Sequence, residues 1–288
     1  VDYLHFLYCL DLFGYEKQWY GLLEMIKNRF NDSPNKFLEE YYKIRDKIIT
    51  DFLDKKEYKF FSEEMNMNDF TLDRDSRNIS SNNIYNRENL GKVFLSIDLK
   101  KANFQVLKHI SSAMVNNCST YEDFIGCYTD LDYIKNSKYT RQVVFGKLNP
   151  RRQITCEKYF INEIRKLIDD TITSNGGHIV SMSNDELVYQ ISESGNFTND
   201  MIIKLADAIK TATDFTVHAE IFKLNGYEFQ FMDSGENKFT FFEKEFYDGR
   251  KKLKSVPITF YKMVYKLMND LPLHDEDYMF EYDKNMTC

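Results

Sequence analysis

Proline and glycine are scarce, at 4 and 11 of 288 residues, so no long flexible linker is expected. Cysteine is rare as well. Cys9, Cys118, Cys127, Cys156 and Cys288 form an odd number with no CxxC pair. That argues against a disulfide framework and a zinc site, and for a reducing, cytoplasmic setting. The apolar opening from Tyr3 to Tyr15 is broken by Asp11 and is too short to span a bilayer. It has neither a basic leader nor a small-residue cleavage site, so no signal peptide and no membrane partner are expected. The absence of a GxxxxGKS/T loop excludes a motor NTPase, and the absence of GxSxG removes the common serine-hydrolase signature.

What is present is ordinary for a folded chain: 43% hydrophobic and 29% charged residues, which can bury a sizeable core. Phe and Tyr are unusually many, 24 and 20, and predict an aromatic-rich interior. The net charge of −7 opposes simple electrostatic capture of nucleic acid, but the charge is unevenly spread. Lys135, Lys138, Arg141, Lys147, Arg151, Arg152, Lys158, Arg165 and Lys166 stand against only Glu157 and Glu163. Arg250, Lys251, Lys252 and Lys254 form a second basic cluster. Lysine outnumbers arginine and asparagine is abundant, as in proteins of phages, viruses and AT-rich microbes.

Periodicity predicts helices over the first seventy residues, with Phe37, Tyr41, Ile44, Ile48 and Phe52 as one apolar face. The polar stretch from Thr71 to Leu90 reads as a boundary or exposed loop. Lys92 to Leu99 is a buried-strand pattern, Phe104–Val115 and Tyr121–Tyr133 look helical, and Gln153 to Ile172 is a long helix. Ile154, Phe160, Ile161, Ile164, Leu167 and Ile168 are its expected inward residues. Asn175-Gly176-Gly177 ends it, and a hairpin follows with strands at His178–Met182 and Glu186–Ser192. A helix at Asp200–Thr213, strands at Phe215–Phe222 and Gly226–Met232, and a mostly helical basic segment at Tyr247–Asn269 complete the reading. The class is α+β: an antiparallel sheet backed by helices. Three regions are expected, a helical 1–90, a sheet-bearing 91–235 and a small helical 236–288.

Two acids stand out. Asp98 ends the strand KVFLSIDL, and Asp185 occupies the hairpin SMSNDELVYQI. Carboxylates from two strands converging on one point suit a pair of Mg²⁺ ions, or Mn²⁺, and the Leu99 carbonyl could add a ligand. Glu186 is expected to be an auxiliary or structural acid, its side chain alternating to the other face of the hairpin strand. Without metal, the two aspartates should repel, raising the pKa of at least one.

Asp98-Leu-Lys-Lys-Ala-Asn-Phe-Gln-Val-Leu-Lys-His-Ile-Ser111 resembles motif A of family A DNA polymerases, usually DYSQIELRVLAHIS. Asn184-Asp-Glu-Leu-Val-Tyr189 resembles their motif C, usually HDELVF, and Arg141-Gln-Val-Val-Phe-Gly146 is a fainter echo of motif B. The resemblance covers about 100 of the 288 residues. It implies a palm domain, a fingers-like N-terminal region and a thumb-like C-terminal one. It implies a DNA-polymerase-like nucleotidyltransferase whose partners are a nucleic-acid template and primer and nucleoside triphosphates, with Asp98, Leu99 and Asp185 holding two metals. Lys138, Arg141, Phe145 and Asn103 would meet the nucleotide. Lys147, Arg151, Arg152, Arg250, Lys251 and Lys252 would meet the nucleic-acid backbone.

Asn103 stands at the family's glutamate, Gln105 at its arginine, Asn184 at its histidine and Arg141 at its lysine, so sugar selectivity does not carry over. The interval from Asp98 to Asp185 is compact, closer to reverse transcriptases and viral RNA-synthesising polymerases. Two other readings are a GGDEF-type cyclase, weakened because the turn lacks the double glycine, and a non-catalytic palm-derived replication accessory protein.

Overall fold

In the computed structural model, described for residues 3–192, 197–230, 238–256, 260–274, 277, 280–282 and 285–287, three helices open the chain: α1 (Tyr3–Leu12), α2 (Glu16–Phe30) and α3 (Pro34–Asp54). Proline at the head of α3 costs nothing, because the first turn has no intrahelical acceptor for its missing N–H. The buried residues of α3 are Phe37, Tyr41, Ile44, Ile48 and Phe52, the face its spacing predicted. Short elements follow: α4 (Lys56–Lys59), a π turn (Phe60–Glu64), a 3-10 turn (Met67–Phe70) and α5 (Arg74–Arg77), capped by the Asp73 carboxylate on the Ser76 amide.

Strand β1 (Val93–Leu99) leads into α6 (Ala102–Ile110), α7 (Tyr121–Gly126), α8 (Asp132–Lys135), α9 (Lys138–Gly146) and α10 (Pro150–Ser174). The hairpin β2 (His178–Met182) and β3 (Glu186–Ile191), α11 (Asn199–Thr213) and β4 (Val217–Gln230) come next. Then β5 (Lys238–Phe246), β6 (Lys251–Lys254), α12 (Tyr261–Met268), β7 (Phe280–Tyr282) and β8 (Asn285–Thr287) complete the chain. Asn149 accepts from the Arg152 amide at 3.3 Å, so α10 starts three residues earlier than its apolar pattern suggests.

Several expectations need correction. Tyr121–Tyr133 is two short helices, α7 and α8, rather than one. The two strands expected at 215–232 are the single strand β4, with Met232 outside the described residues. Gly226 lies within it because a side chain would collide with Leu90, an ideal Cβ falling 2.5 Å from Leu90 Cδ2. Ile154 and Leu167 face outward on α10, at 40% and 45% exposure. The polar stretch 71–90 holds the expected boundary, between Ile84 and Tyr85, but ahead of it the chain is tied down: Ser80 and Asn82 accept hydrogen bonds from Met182 N and Ser181 Oγ along the edge of β2. The C-terminal basic cluster belongs to the hairpin leading into β6, so the small helical C-terminal region expected there holds, among the described residues, the β5–β6 pair, one helix, α12, and the β7–β8 pair.

The chain divides into two compact units, not three consecutive regions. The larger holds 34–84 and 92–222, and the smaller 1–33, 85–91 and 223–288. The expected boundary at 235/236 lies outside the described residues. In the larger unit the sheet order is β2-β3-β1-β4, with β1 antiparallel to β3 and β3 antiparallel to β2. Lys100 N donates to Thr216 O at 3.0 Å where β4 begins. The succession β1–helices–β2–β3–α11–β4 is a β-α-β-β-α-β motif.

Alternation puts Val93, Leu95, Ile97, Leu99, Leu187, Tyr189 and Ile191 on one sheet face, all buried. Helix α10 packs there, and Tyr189 Oη donates to its Asp169 at 3.1 Å. Phe94, Ser96, Asp98 and Glu186 stand on the other face. Beside the sheet, Phe52 forms edge contacts with Tyr58, Phe124 and Phe145, at centroid distances of 5.3, 5.7 and 6.1 Å.

The smaller unit is centred on Phe241, Met263 and Val264. Helices α1 and α12 pack together, with Tyr8 stacked on Tyr265 at 4.6 Å. Two buried acids are matched by cations: Glu243 by Lys251 at 3.2 Å, and Asp277 by Lys262 and Lys266 at 2.9 and 2.7 Å.

Phe52 is fully buried, whereas Leu38 on the same helix is 42% exposed. Phe52→Ala should therefore cost about 3–5 kcal/mol in urea unfolding and Leu38→Ala no more than about 0.5 kcal/mol. Equal losses at the two positions would contradict this packing.

Candidate functional site

The site grows out of the register between β1 and β3. Asp98 pairs across with Glu186, and Leu99 N donates to Asp185 O at 2.7 Å. Directly opposed residues of an antiparallel pair have Cβ atoms about 4.5–5.5 Å apart and share a face. Glu186 therefore stands on the face of Asp98 rather than on the other face as expected, because the register sets it directly opposite Asp98, and its carboxylate accepts from Ser96 Oγ at 2.5 Å. Ser183 shapes the turn: its amide donates to Glu186 O at 2.9 Å, and its hydroxyl accepts from the Glu186 amide at 3.1 Å. The same hydroxyl lies 3.4 Å from Asp185 Oδ1. Asp98 and Glu186 thus share one face, while Asp185, in the turn beside Leu99, interacts with Glu157 on the α10 side; all three acids are half-buried at one end of the sheet.

Burial raises the Asp185 pKa above the ordinary carboxylate range, and the negative charge of Glu186 adds to the effect. The Ser183 hydrogen bond and the positive charge of Lys138 oppose it. A raised aspartate was expected, but from repulsion by Asp98. Desolvation is the larger cause, and Glu186 is the neighbouring charge.

A further acid lies close by. Glu157 on α10 is 7% exposed, and burial followed by the charge of Asp185 pushes it up to about 8. At neutral pH it is mostly a neutral carboxylic acid facing Asp185. The inward row of α10, Gln153, Glu157, Ile161, Ile164, Ile168 and Ile172, recurs at steps of three and four. That periodicity is the signal for a buried Glu157, and the apolar members of the row by themselves do not carry it.

Lys138 opens α9 as an exposed side chain whose charge reaches Asp185. Arg141, half-buried one turn further, lies 5.8 Å from the Tyr121 ring. Phe145 is 1% exposed among Phe52 and Tyr121, a core position with no face open to a base. Asn103 is half-buried in α6, its carbonyl 3.4 Å from Gln153 Nε2. Lys147 and Arg151 are exposed at the junction of α9 and α10.

Arg152 is differently engaged. Its guanidinium donates to the carbonyls of Phe61, Met65 and Glu63 at 2.9, 2.8 and 3.4 Å, fastening the π turn to α10. Its expected role on a phosphate backbone is corrected to a structural one. Lys135, Arg165 and Lys166 likewise pair with Asp132, Asp169 and Asp73. In the smaller unit Arg250 pairs with Asp248 and Lys251 with Glu243, while Lys252 is exposed on β6.

The strand end also carries a basic cleft. Lys101 adopts φ +52°, a left-handed turn uncommon outside glycine, between β1 and α6. Around it a cleft of about 180 Å³ is lined by Lys100, Lys101, Lys108, Lys210, Tyr121 and Glu122. Lys101 pairs with Glu122, and Lys108 and Lys210 share Asp214 at 3.6 and 2.5 Å. Gln105 forms one wall: its amide accepts from Thr216 N at 2.7 Å and donates to Thr216 O at 2.8 Å. It imitates a strand neighbour and holds the start of β4 beside the end of β1. Sequence reading marked Gln105 only as a departure from a family pattern. The lysines, spread over three segments, carry no local signal.

No family model, curated protein or solved structure matches the chain. Among the described residues no group of three or more His, Cys, Asp or Glu is placed to hold a metal ion, and no helix is long and apolar enough to cross a membrane. Asp98 and Asp185 each offer hard oxygen donors at this end of the sheet.

The raised pKa of Glu157 fixes the sign of a pH effect. The folded state keeps a proton that the unfolded chain releases above about pH 4.5, so stability falls as pH rises towards 8 and then levels. In chelator, Glu157→Gln should match the wild type near pH 4 and exceed it by about 2–4 kcal/mol at pH 8. A stability difference independent of pH would show that Glu157 is not held protonated.

Proposed function

We propose that the chain is a template-directed nucleotidyl polymerase with a palm-type catalytic sheet. The observation that carries the proposal is the pairing of Asp98 with Glu186 inside a β-α-β-β-α-β sheet. The two segments that resemble polymerase motifs A and C are neighbours in register, although many helical residues separate them in the chain. The basic cleft at the end of β1 supports the reading, because a triphosphate needs cations next to the acids that would bind its metals.

Asp98, Asp185 and the Leu99 carbonyl would hold two Mg²⁺ or Mn²⁺ ions, which would supply activation of the primer 3′-hydroxyl and neutralisation of the leaving pyrophosphate. The chain's own residues orient the reactants. Ser183 and Ser96 fix the turn and Glu186, so the carboxylates are positioned before substrate arrives. Lys100 and Lys101 offer donors to phosphate oxygens from the strand end, and Lys138 and Arg141 do so from α9. Neutral Glu157 limits the charge crowded around Asp185.

Primer extension on DNA and RNA templates, with Mg²⁺ and with Mn²⁺, tests the assignment and identifies the product. Asp98→Ala and Asp185→Ala should each abolish incorporation while unfolding as the wild type does. Retained activity in either would remove the metal-site assignment.

Lys100→Ala and Arg141→Ala should each raise the nucleotide KM about 10- to 100-fold, as expected for loss of a charge-assisted contact of about 1.5–3 kcal/mol. An unchanged KM would leave that residue outside the nucleotide site.

A further inference from the structure

Two cysteines far from any CxxC pattern meet in the larger unit. Asn116 and Asn117 both adopt positive φ, 57° and 56°, and turn the chain back towards α7. Cys118 follows that turn, and Cys127 is the residue that ends α7. Their Sγ atoms lie 3.8 Å apart. Lys55 braces the turn, its Nζ donating to Met114 O at 2.7 Å and Asn116 Oδ1 at 2.6 Å. Cys127 is exposed, Cys118 half-buried and Cys156 buried. Between the paired cysteines run Ser119, Thr120, Tyr121 and Glu122, which line the basic cleft.

We propose that Cys118 and Cys127 are a redox-modification site that closes to a reversible disulfide on reaction with a low-molecular-weight disulfide such as oxidised glutathione. Exposed Cys127 reacts first. Its thiolate attacks one glutathione sulfur, the glutathione S–S bond breaks, and one glutathione leaves as its thiol. Cys118 then gives up its proton and attacks the Cys127 sulfur of the mixed disulfide, which expels the second glutathione. Two protein thiols are oxidised, one glutathione disulfide is reduced, and the two protons leave on the two glutathione thiols.

The order follows from the environments. Burial and the adjacent Cys127 thiol push the Cys118 thiol up to about 11, which leaves it the poorer first nucleophile. Closure needs the sulfurs to approach from 3.8 Å to about 2.05 Å. The bond would staple the segment that forms one wall of the cleft and constrain the unfolded chain.

The whole protein, treated with excess oxidised glutathione, is read by intact mass and by non-reducing peptide mapping. The expected result is a 118–127 cross-link with no retained glutathione, reversed by dithiothreitol and accompanied by a higher thermal midpoint. Cys156→Ser should leave the link intact, and Cys118→Ser should trap glutathione on Cys127. Persistent glutathione on Cys127 in the wild type, a link to another cysteine, or two unreacted thiols would each overturn the proposal. None of these readouts depends on nucleotide transfer.

Discussion

The antiparallel register of β1 against the β2–β3 hairpin is the constraint on which the site depends. Because strand side chains alternate, a one-residue slip would move Asp98 to the face packed by α10 and carry Leu99 out of the core. That cost protects the register. Tyr189 strengthens it by reaching Asp169 on α10, and Gln105 by binding Thr216 through both ends of its amide. Asp98 and Glu186 are thus held by apolar burial on the opposite face, and Asp185 by the hydrogen bonds of the turn at the strand end.

Gathering carboxylates in this way opposes folding, and the surroundings moderate the penalty. Glu186 takes a hydrogen bond from Ser96, Asp185 takes the influence of Ser183 and Lys138, and Glu157 stays protonated. The local charge remains negative at the turn and becomes mixed with lysines at the end of β1. Such an arrangement, costly without a ligand and eased by a cation, is what the proposed metal-dependent transfer requires. The helices behind the sheet supply stiffness: the aromatic cluster around Phe52 joins α3 to α7 and α9, and Arg152 fastens the π turn to α10.

Helix α3, the strand at Val93–Leu99, the long helix ending near Asn175 and the hairpin carrying Asp185 were legible in the sequence. Each is specified locally, by apolar spacing of 3.6 or 2, by a capping asparagine or by a glycine turn. Where local signals compete with long-range packing, reading failed. Gly226 suggested a break but marks a close approach of Leu90 to an unbroken β4. Ile154 and Leu167 looked buried by type yet fall outside the inward row of α10. The basic segment after Tyr247 looked helical, but pairing with β5 makes Lys251–Lys254 a strand.

For the candidate site the division is similar. Asp98 and Asp185 could be singled out because each sits at the end of a locally specified element, and their resemblance to polymerase motifs lies within short segments. Only the tertiary structure decided which side chains share their environment. It brought Glu157 beside Asp185, assembled Lys100, Lys108 and Lys210 from three segments, and committed Arg152 to backbone carbonyls. A sequence determines which residues prefer to be buried or to end a strand, since those preferences act over a few residues. Desolvation, charge proximity and the meeting of Cys118 with Cys127 depend on distances set by packing, and so belong to the folded chain alone.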